Sequence, residues 1–596
     1  MKKDIISMTT RPKVTPCSQR TLKPRRMHFL WLFSVLLAFS VQNASAQDIS
    51  QIAQSDPLII SGSIGTRNTY YHSTSSYGYA SPLSNSIYAN LDISIYGFSM
   101  PFSLYYSNDN LDFNYPHISF NLTPHYKNWT GYVGRSSMQF SSYVMSMSFN
   151  GVGVEYNNKK TRFGVFYGNL RSAVNDDPTD PAARTPQYRR VGWGFKVGYG
   201  NASNYIDLYM LRAHDQLKSL HEGWRGMVMP EENLVVGVKG GLSPLPRLVI
   251  SANVATSAFT SDTQSEKITM GEVTRFDKIF DAKTTSSVRF AGDVSMSYSF
   301  LGISTALTYR MIQPDYKSLG TYYMSNNYHS LGVNLSTMLF KKISLSGSFS
   351  GQEDNLTDKQ LYTTRGFVYN AMASTRIGEH FNLMAGYNGY TQVQGDGTAK
   401  VNEQTKIHRL LQSFTFTPTY MVDNETFSHT VNLSANYTDN KDKNKYATGQ
   451  SDVKTTGLGL SYGITIKPWE LDLNTSLSHQ LSKGYQSEYK SDIAALTASR
   501  AFLKDKNLSV SATGTLCYNE VKYQSKNLSM GFDASVGYTL KKVHTFSLSG
   551  GLNKYGDVNM TKQRSNLDDL DINVSFNYAY TFSLLEIKRK ADKKEM

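Results

Sequence analysis

Apolar and polar residues alternate with a period of two along most of this chain. Between 571 and 582, Ile572, Val574, Phe576, Tyr578, Tyr580 and Phe582 fall on one face, and Asp571, Asn573, Ser575, Asn577, Ala579 and Thr581 on the other. Phe532, Ala534, Val536, Tyr538 and Leu540 oppose Asp533, Ser535, Gly537 and Thr539 in the same way. Val431, Leu433, Ala435 and Tyr437 oppose Asn432, Ser434, Asn436 and Thr438. Successive side chains of an extended chain point to opposite faces, so each stretch predicts a strand that is apolar on one side and polar on the other. A soluble sandwich alternates too. Here, though, the strands run for about 12–16 residues, against about 5–6 in soluble domains. Their polar faces are mostly Ser, Thr, Asn and Gly, small enough for a wet lumen, and aromatics gather at the strand ends. Trp129 and Trp469 sit at tight turns and are the candidate interfacial aromatics.

The connections alternate as well. Short turns, from 97–98 to 541–543, separate longer connections, from 73–83 to 558–566. The longer set includes 136–146, 263–285 and 319–325. Short periplasmic turns and long extracellular loops mark outer-membrane barrels. Twelve turns and thirteen loops predict a single all-β, antiparallel transmembrane barrel over 57–585, with about 26 strands in a range of 22–26. An even count leaves both ends in the periplasm. Connection 263–285 holds Phe276 and Phe280 and is expected to cap or enter the lumen.

Export is written at the start. Residues 29–41, FLWLFSVLLAFSV, are apolar, follow Lys23, Arg25 and Arg26, and precede Ala44-Ser45-Ala46. This predicts a signal peptide over 1–46 with a long basic leader, then a short periplasmic segment at 47–56. Thirteen apolar residues are too few for a spanning helix, which needs about 20. A charged periplasmic tail is expected at 586–596, where barrels usually end on an aromatic such as Phe582.

Composition sharpens the picture. Aromatics make up 12%, with 40 Tyr against 5 Trp, and charged residues only 18%. The net charge is +14, and residues 1–46 hold half of it. No interleaved basic and aromatic stripe suggests nucleic acid as a partner. Cys17 lies in the leader and Cys517 stands alone, so no disulfide or CxxC pair is expected in the exported chain.

Residues 118–216 read ISFNLTPHYKNW, GYVGRSSMQFSSYVM, GVGVEYNNKKTRFGVFYGNLRSAV and YRRVGWGFKVGYG…YIDLYMLRAHD. This order resembles an uncharacterised family of outer-membrane β-barrels from Bacteroidota. The matching positions are Arg135, Phe140, Ser141, Gly153, Glu155, Arg162, Phe163 and Gly164. The resemblance implies location and fold but no activity.

Candidate chemistry is sparse. There is no HExxH zinc motif and no GxxxxGK[ST] phosphate loop. His214, Asp215, His221 and Glu222 in 214–225 are the nearest approach to a nucleophile-and-base group, and read more simply as a solvated loop. Asp176, Asp177 and Asp180 cluster at 175–186 without the spacing of a calcium loop. No catalytic residue, metal site or cofactor is therefore expected. Glu155, Arg190, Lys196 and Asp207 are read as pointing into the lumen, because a Lys or Arg on the lipid face costs roughly 2–4 kcal/mol at mid-depth. They predict either a register-fixing ion-pair network or a selectivity patch.

The expected partner is outer-membrane lipid, and no enzyme is expected. Two functions fit: a channel or transport component, and a non-conducting scaffold docking envelope, secretion or assembly proteins. A rim hydrolase is a distant third. No plug domain is recognisable, so loops or a partner must fill a lumen of this width unless it conducts.

Overall fold

The computed structural model describes residues 58–74, 82–108, 118–176, 178, 184–269, 279–503, 505–557 and 569–587. The expected leader, all of segment 47–56 and the tail beyond 587 lie outside them, as do Asp177, Asp180 and Phe276.

The first strands are β1 (Leu58–Ser73), β2 (Leu83–Ile95), β3 (Phe98–Ser107), β4 (Ile118–Leu122), β5 (His125–Tyr126), β6 (Trp129–Ser136) and β7 (Phe149–Asn157). Then come β8 (Thr161–Arg171), β9 (Arg190–Gly200), β10 (Tyr205–Asp215), β11 (Glu232–Leu245), β12 (Leu248–Thr260), β13 (Ser286–Phe300) and β14 (Ile303–Ile312). The series continues from β15 (Tyr328–Leu339) to β27 (Asp569–Ile587). Neighbours in sequence pair antiparallel, and β1 pairs with β27, so the sheet closes on itself. Because β4 and β5 are two pieces of one traverse, the wall is a closed barrel of 26 strands. Strands spaced about 4.8 Å apart in such a number enclose a cylinder on the order of 45–50 Å across. The closing strand runs past Phe582 to Ile587, with a bulge opposite Ile60 and Ser61, so the residues after the last aromatic still take part in closure.

The tight connections come from left-handed pairs. Tyr96 and Gly97 have φ of 48° and 82°, and Leu301 and Gly302 have 47° and 80°. Two such residues form the turn whose twist matches that of a hairpin.

Ladder partners lie on the same face, so register fixes the direction of each strand. One face carries exposed apolar side chains such as Tyr167, Val197, Ile206, Val254, Val294 and Leu335. That is the membrane belt, and it also satisfies the rule that every backbone polar group in lipid be paired within the wall. The opposite face is the lumen. No helix among the described residues is long and apolar enough to cross a membrane.

Two expectations need correction. Strands β4 to β10 have at most 11 residues, shorter than the 12–16 expected; Pro124 divides β4 from β5, and between β6 and β7 the chain leaves the wall early to enter the lumen. The described part of connection 263–285 neither caps nor enters the lumen. Phe280 and Ala282 are buried against Leu234 and Ala258, with Met210 and Val288 beside them, all on the membrane-side face of β10 to β13. Apolar side chains at that end of the wall offered the loop a surface outside the barrel.

Candidate functional site

The larger buried cluster lies within the lumen. Two connections fold inward and dock together: 137–148, between β6 and β7, and 313–327, between β14 and β15. Tyr143, Val144 and Met145 from the first pack with Tyr316 and Leu319 from the second, over Phe149, Phe166, Leu170, Tyr209 and Leu211 of the wall. Val144 and Leu211 are fully buried. Full burial of such a side chain contributes about 1.5–3 kcal/mol.

Hydrogen bonds make the docking specific. The Ser141 hydroxyl donates to Asn253 Oδ1 at 2.7 Å, and the Tyr143 hydroxyl to Asp293 Oδ1 at 2.6 Å. The Lys196 ammonium donates to the Gln139 carbonyl at 3.0 Å. The segments are also tied to each other. The Tyr316 hydroxyl donates to the Tyr143 carbonyl at 2.9 Å, and the Ser318 hydroxyl to the Val144 carbonyl at 2.6 Å. Backbone N–H groups of Ser146 and Met147 both donate to the Gly320 carbonyl. Asn233 receives the Leu319 N–H at 3.0 Å. Burial pushes the Tyr143 and Tyr316 hydroxyls well above the ordinary tyrosine range; for Tyr143 the Asp293 carboxylate adds to it. Both stay protonated donors at any physiological pH.

Glycines make room. A Cβ at Gly164 would stand 2.9 Å from Met138 Sδ and 3.0 Å from Lys196 Cε. One at Gly237 would stand 2.7 Å from Val144 Cγ2, and one at Gly194 3.3 Å from the Phe140 ring. Phe140 packs edge-on against Phe166, with centroids 5.6 Å apart, and tilted against Tyr209. Four of the eight positions that carry the resemblance at 118–216 meet around this docking: Phe140, Ser141 and Gly164 directly, and Gly153 against Phe149 and Phe166.

Ion pairs run the full height of the same wall. Near the turn end, Arg162 donates to Asp207 at 2.8 Å and to the Gly200 carbonyl. A Cβ at Gly198 would lie 1.7 Å from that carboxylate, so only glycine fits between the partners. Higher, Lys196 meets Glu155 at 2.7 Å, and Tyr132 donates to the same carboxylate. At the loop end, Arg190 joins Asp215 at 2.8 Å and Glu231 at 2.6 Å. Arg171 reaches Asp215 from β8, and Lys317 reaches Glu231 from the second in-folded segment. The four charges singled out in the sequence thus face the lumen in three groups rather than one. Glu155 and Lys196 pair with each other; Asp207 and Arg190 pair with Arg162 and Asp215. Arg135 belongs to β6, where its carbonyl accepts from Asn121.

The structure brings no triad together at 214–225. His214 and Asp215 end β10 instead of lying in a loop, and adjacent strand residues face opposite ways. Asp215 is held by two arginines, while His221 Nδ1 accepts from the Gly223 N–H and Glu222 pairs with Arg225. In the acidic loop, Asp176 is paired with Arg184 at 2.8 Å, which holds its carboxyl below the usual range. Trp129 opens β6 and stacks obliquely on Tyr156; Trp469 lies in a short 3₁₀ turn, and both are exposed at the turn end. Cys517 is in register with Ser529 on the lumenal face.

The other side of the lumen is bare. Asn370, Asn388, Ser434, Asn436, Asn474 and Ser478 face inward and are exposed. No described segment packs over them.

No protein-family model matches the chain, and no curated protein matches it. Among solved structures, it is similar to OccAB2 of Acinetobacter baumannii, with 10% identity, 60% of this chain and 93% of that one covered, and a TM-score of 0.29. It is similar to OpdK of Pseudomonas aeruginosa with vanillate, with 10% identity, 60% and 93% covered, and a TM-score of 0.30. It is similar to OccK8 (OprE) of the same organism, with 9% identity, 88% and 98% covered, and a TM-score of 0.29. Similarity at this level carries no conclusion about the activity of this chain.

Proposed function

We propose that this chain is a channel of a Gram-negative outer membrane, narrowed on one side by its own in-folded segments and conducting along the other. The observation that carries this reading is the row of exposed, uncharged polar side chains facing the lumen between β15 and β27. Some of these side chains bond to each other across the ladder, as Asn370 does to Ser348 at 2.6 Å, and their exposed polar capacity is left for water or a polar solute. The ion pairs on the opposite wall are engaged with each other and with the in-folded segments, which supports a structural role for them. Membership of the Bacteroidota group resembled at 118–216 is part of the same proposal, since half of the matching residues meet around the in-folded segment.

Planar-bilayer recording tests it. The purified barrel should insert with a steady conductance, and replacing 138–147 by a short Gly-Ser linker should raise it at least twofold. A barrel silent at every potential, which co-purifies with fixed envelope proteins, would replace the channel by a docking scaffold.

A further inference from the structure

The outer face of the wall changes character over a short distance from β20 (Phe427–Asp442) through β21 (Val453–Ile466), β22 (Leu471–Lys483) and β23 (Glu488–Phe502) to β24 (Leu508–Val521). One cross-strand row there is wholly apolar. Leu433, Leu460, Leu477, Ala494 and Leu516 are successive register partners, and they line a hollow of about 640 Å³ on the membrane side. Six residues nearer the long loops, on the same face, the row across β20 to β23 reads Asp439, Lys454, Lys483 and Glu488. Lys454 and Lys483 are exposed and stand directly opposite each other, a position in which like charges repel.

The carboxylates on either side of the two lysines are engaged elsewhere, Asp439 with Lys441 at 2.6 Å and Glu488 with Lys522 at 3.6 Å. Four ammonium groups against two carboxylates leave a surplus of two positive charges, whichever way the side chains turn. Neighbouring charges do not offset it. Asp492 is held by His479 at 2.6 Å and Lys490 at 2.9 Å, and Glu520 by Lys526 at 3.4 Å. Two other outward pairs at this end of the barrel are balanced, Arg212 with Glu232 and Arg365 with Glu353. Depth matches as well. Six residues of strand rise about 20 Å. Tilted as barrel strands are, they cover about 15 Å of depth, half the hydrocarbon thickness. A lipid with its headgroup at the lysines therefore ends its acyl chains at the hollow.

We propose that the outer face of β20 to β24 binds a phosphate-monoester lipid of the outer leaflet, with its phosphate between Lys454 and Lys483 and an acyl chain in the hollow. A phosphate monoester carries about 1.5–2 negative charges at neutral pH, which matches the surplus, and it accepts charge-assisted hydrogen bonds from both ammonium groups. A phosphodiester, with one charge, leaves half of the surplus uncompensated. The site lies outside the barrel and does not depend on whether the lumen conducts.

The test places the whole barrel in phosphatidylcholine nanodiscs containing phosphatidic acid of the same acyl chains, and reads retained lipid by native mass spectrometry. Phosphatidic acid should be retained at least fivefold more often than phosphatidylglycerol or diacylglycerol at the same mole fraction. Lys454→Gln with Lys483→Gln should abolish that preference. Ala494→Phe, which fills the hollow without touching either lysine, should lower retention of phosphatidic acid at least threefold. Lys554→Gln, at an outward lysine of β26 (His544–Asp557), should change nothing. Unfolding midpoints in lipid-free detergent should be the same for all variants, which separates lost binding from lost fold. Equal retention of the three lipids by the unaltered barrel, or retention indifferent to the lysine pair or to the filled hollow, overturns the proposal.

Discussion

The arc from β6 to β14 and the arc from β15 to β27 are built from the same alternating pattern, yet they use their lumenal faces in opposite ways. In the first, the inward positions are Phe166, Leu170, Tyr209 and Leu211 among charges, and two connections fill the space in front of them. In the second, the inward positions are mostly small amides and hydroxyls, exposed and bonded at most to one another across the ladder. A lumenal face thus has two stable solutions. It is either apolar enough to attract a covering segment, or polar enough to need none. The lesson is that a plug need not be a separate domain. It can be hung from a hairpin whose strands stop early, as β6 and β7 do.

Substitutions that treat the two arcs alike should separate them. The largest expected effect is Val144→Asp. It places a carboxylate at a fully buried point, where an uncompensated charge costs on the order of 3–5 kcal/mol. The in-folded pair should undock, seen as protease cleavage within 137–148 and raised conductance. Ser434→Asp, on the open arc, should leave both unchanged; equal behaviour of the two variants would erase the distinction. Next is Lys196→Met, which strands Glu155 in a largely buried position. It should cost about 3 kcal/mol in detergent unfolding, and adding Glu155→Gln should recover much of that. The matching change Arg365→Met breaks an exposed rim pair with Glu353 and should cost under about 1 kcal/mol. The smallest contrast is Gly164→Ala against Gly463→Ala. The first crowds Met138 and Lys196 and should cost about 1–2 kcal/mol. The second meets nothing nearer than Asn474 Nδ2 at 3.8 Å and should be neutral within about 0.5 kcal/mol, read by the same unfolding midpoint.

Much of the wall could be read along the chain. The turns at 301–302 and 541–543, the inward direction of Glu155 and Lys196, and an even strand number all follow from local alternation; the turn expected at 97–98 falls one residue earlier, at Tyr96 and Gly97. The in-folded segments did not. Residues 136–146 read as one loop among thirteen, although Phe140, Tyr143, Val144 and Met145 are unusually apolar for an extracellular loop. The other available signal was glycine at alternate positions, Gly192, Gly194 and Gly198, along a strand that faces them. Partner choice was harder still. Asp215 read as part of a loop with His214, when its partners Arg171 and Arg190 lie on two other traverses.

By itself the sequence determined the period, the sidedness and the rhythm of turn and loop, because each depends on residues within a few positions of one another. Only the closed tertiary structure decided which connections fall inward and which charges meet. Those outcomes depend on what stands across the lumen or across a seam, and bringing such groups together is the work of barrel closure rather than of any local preference.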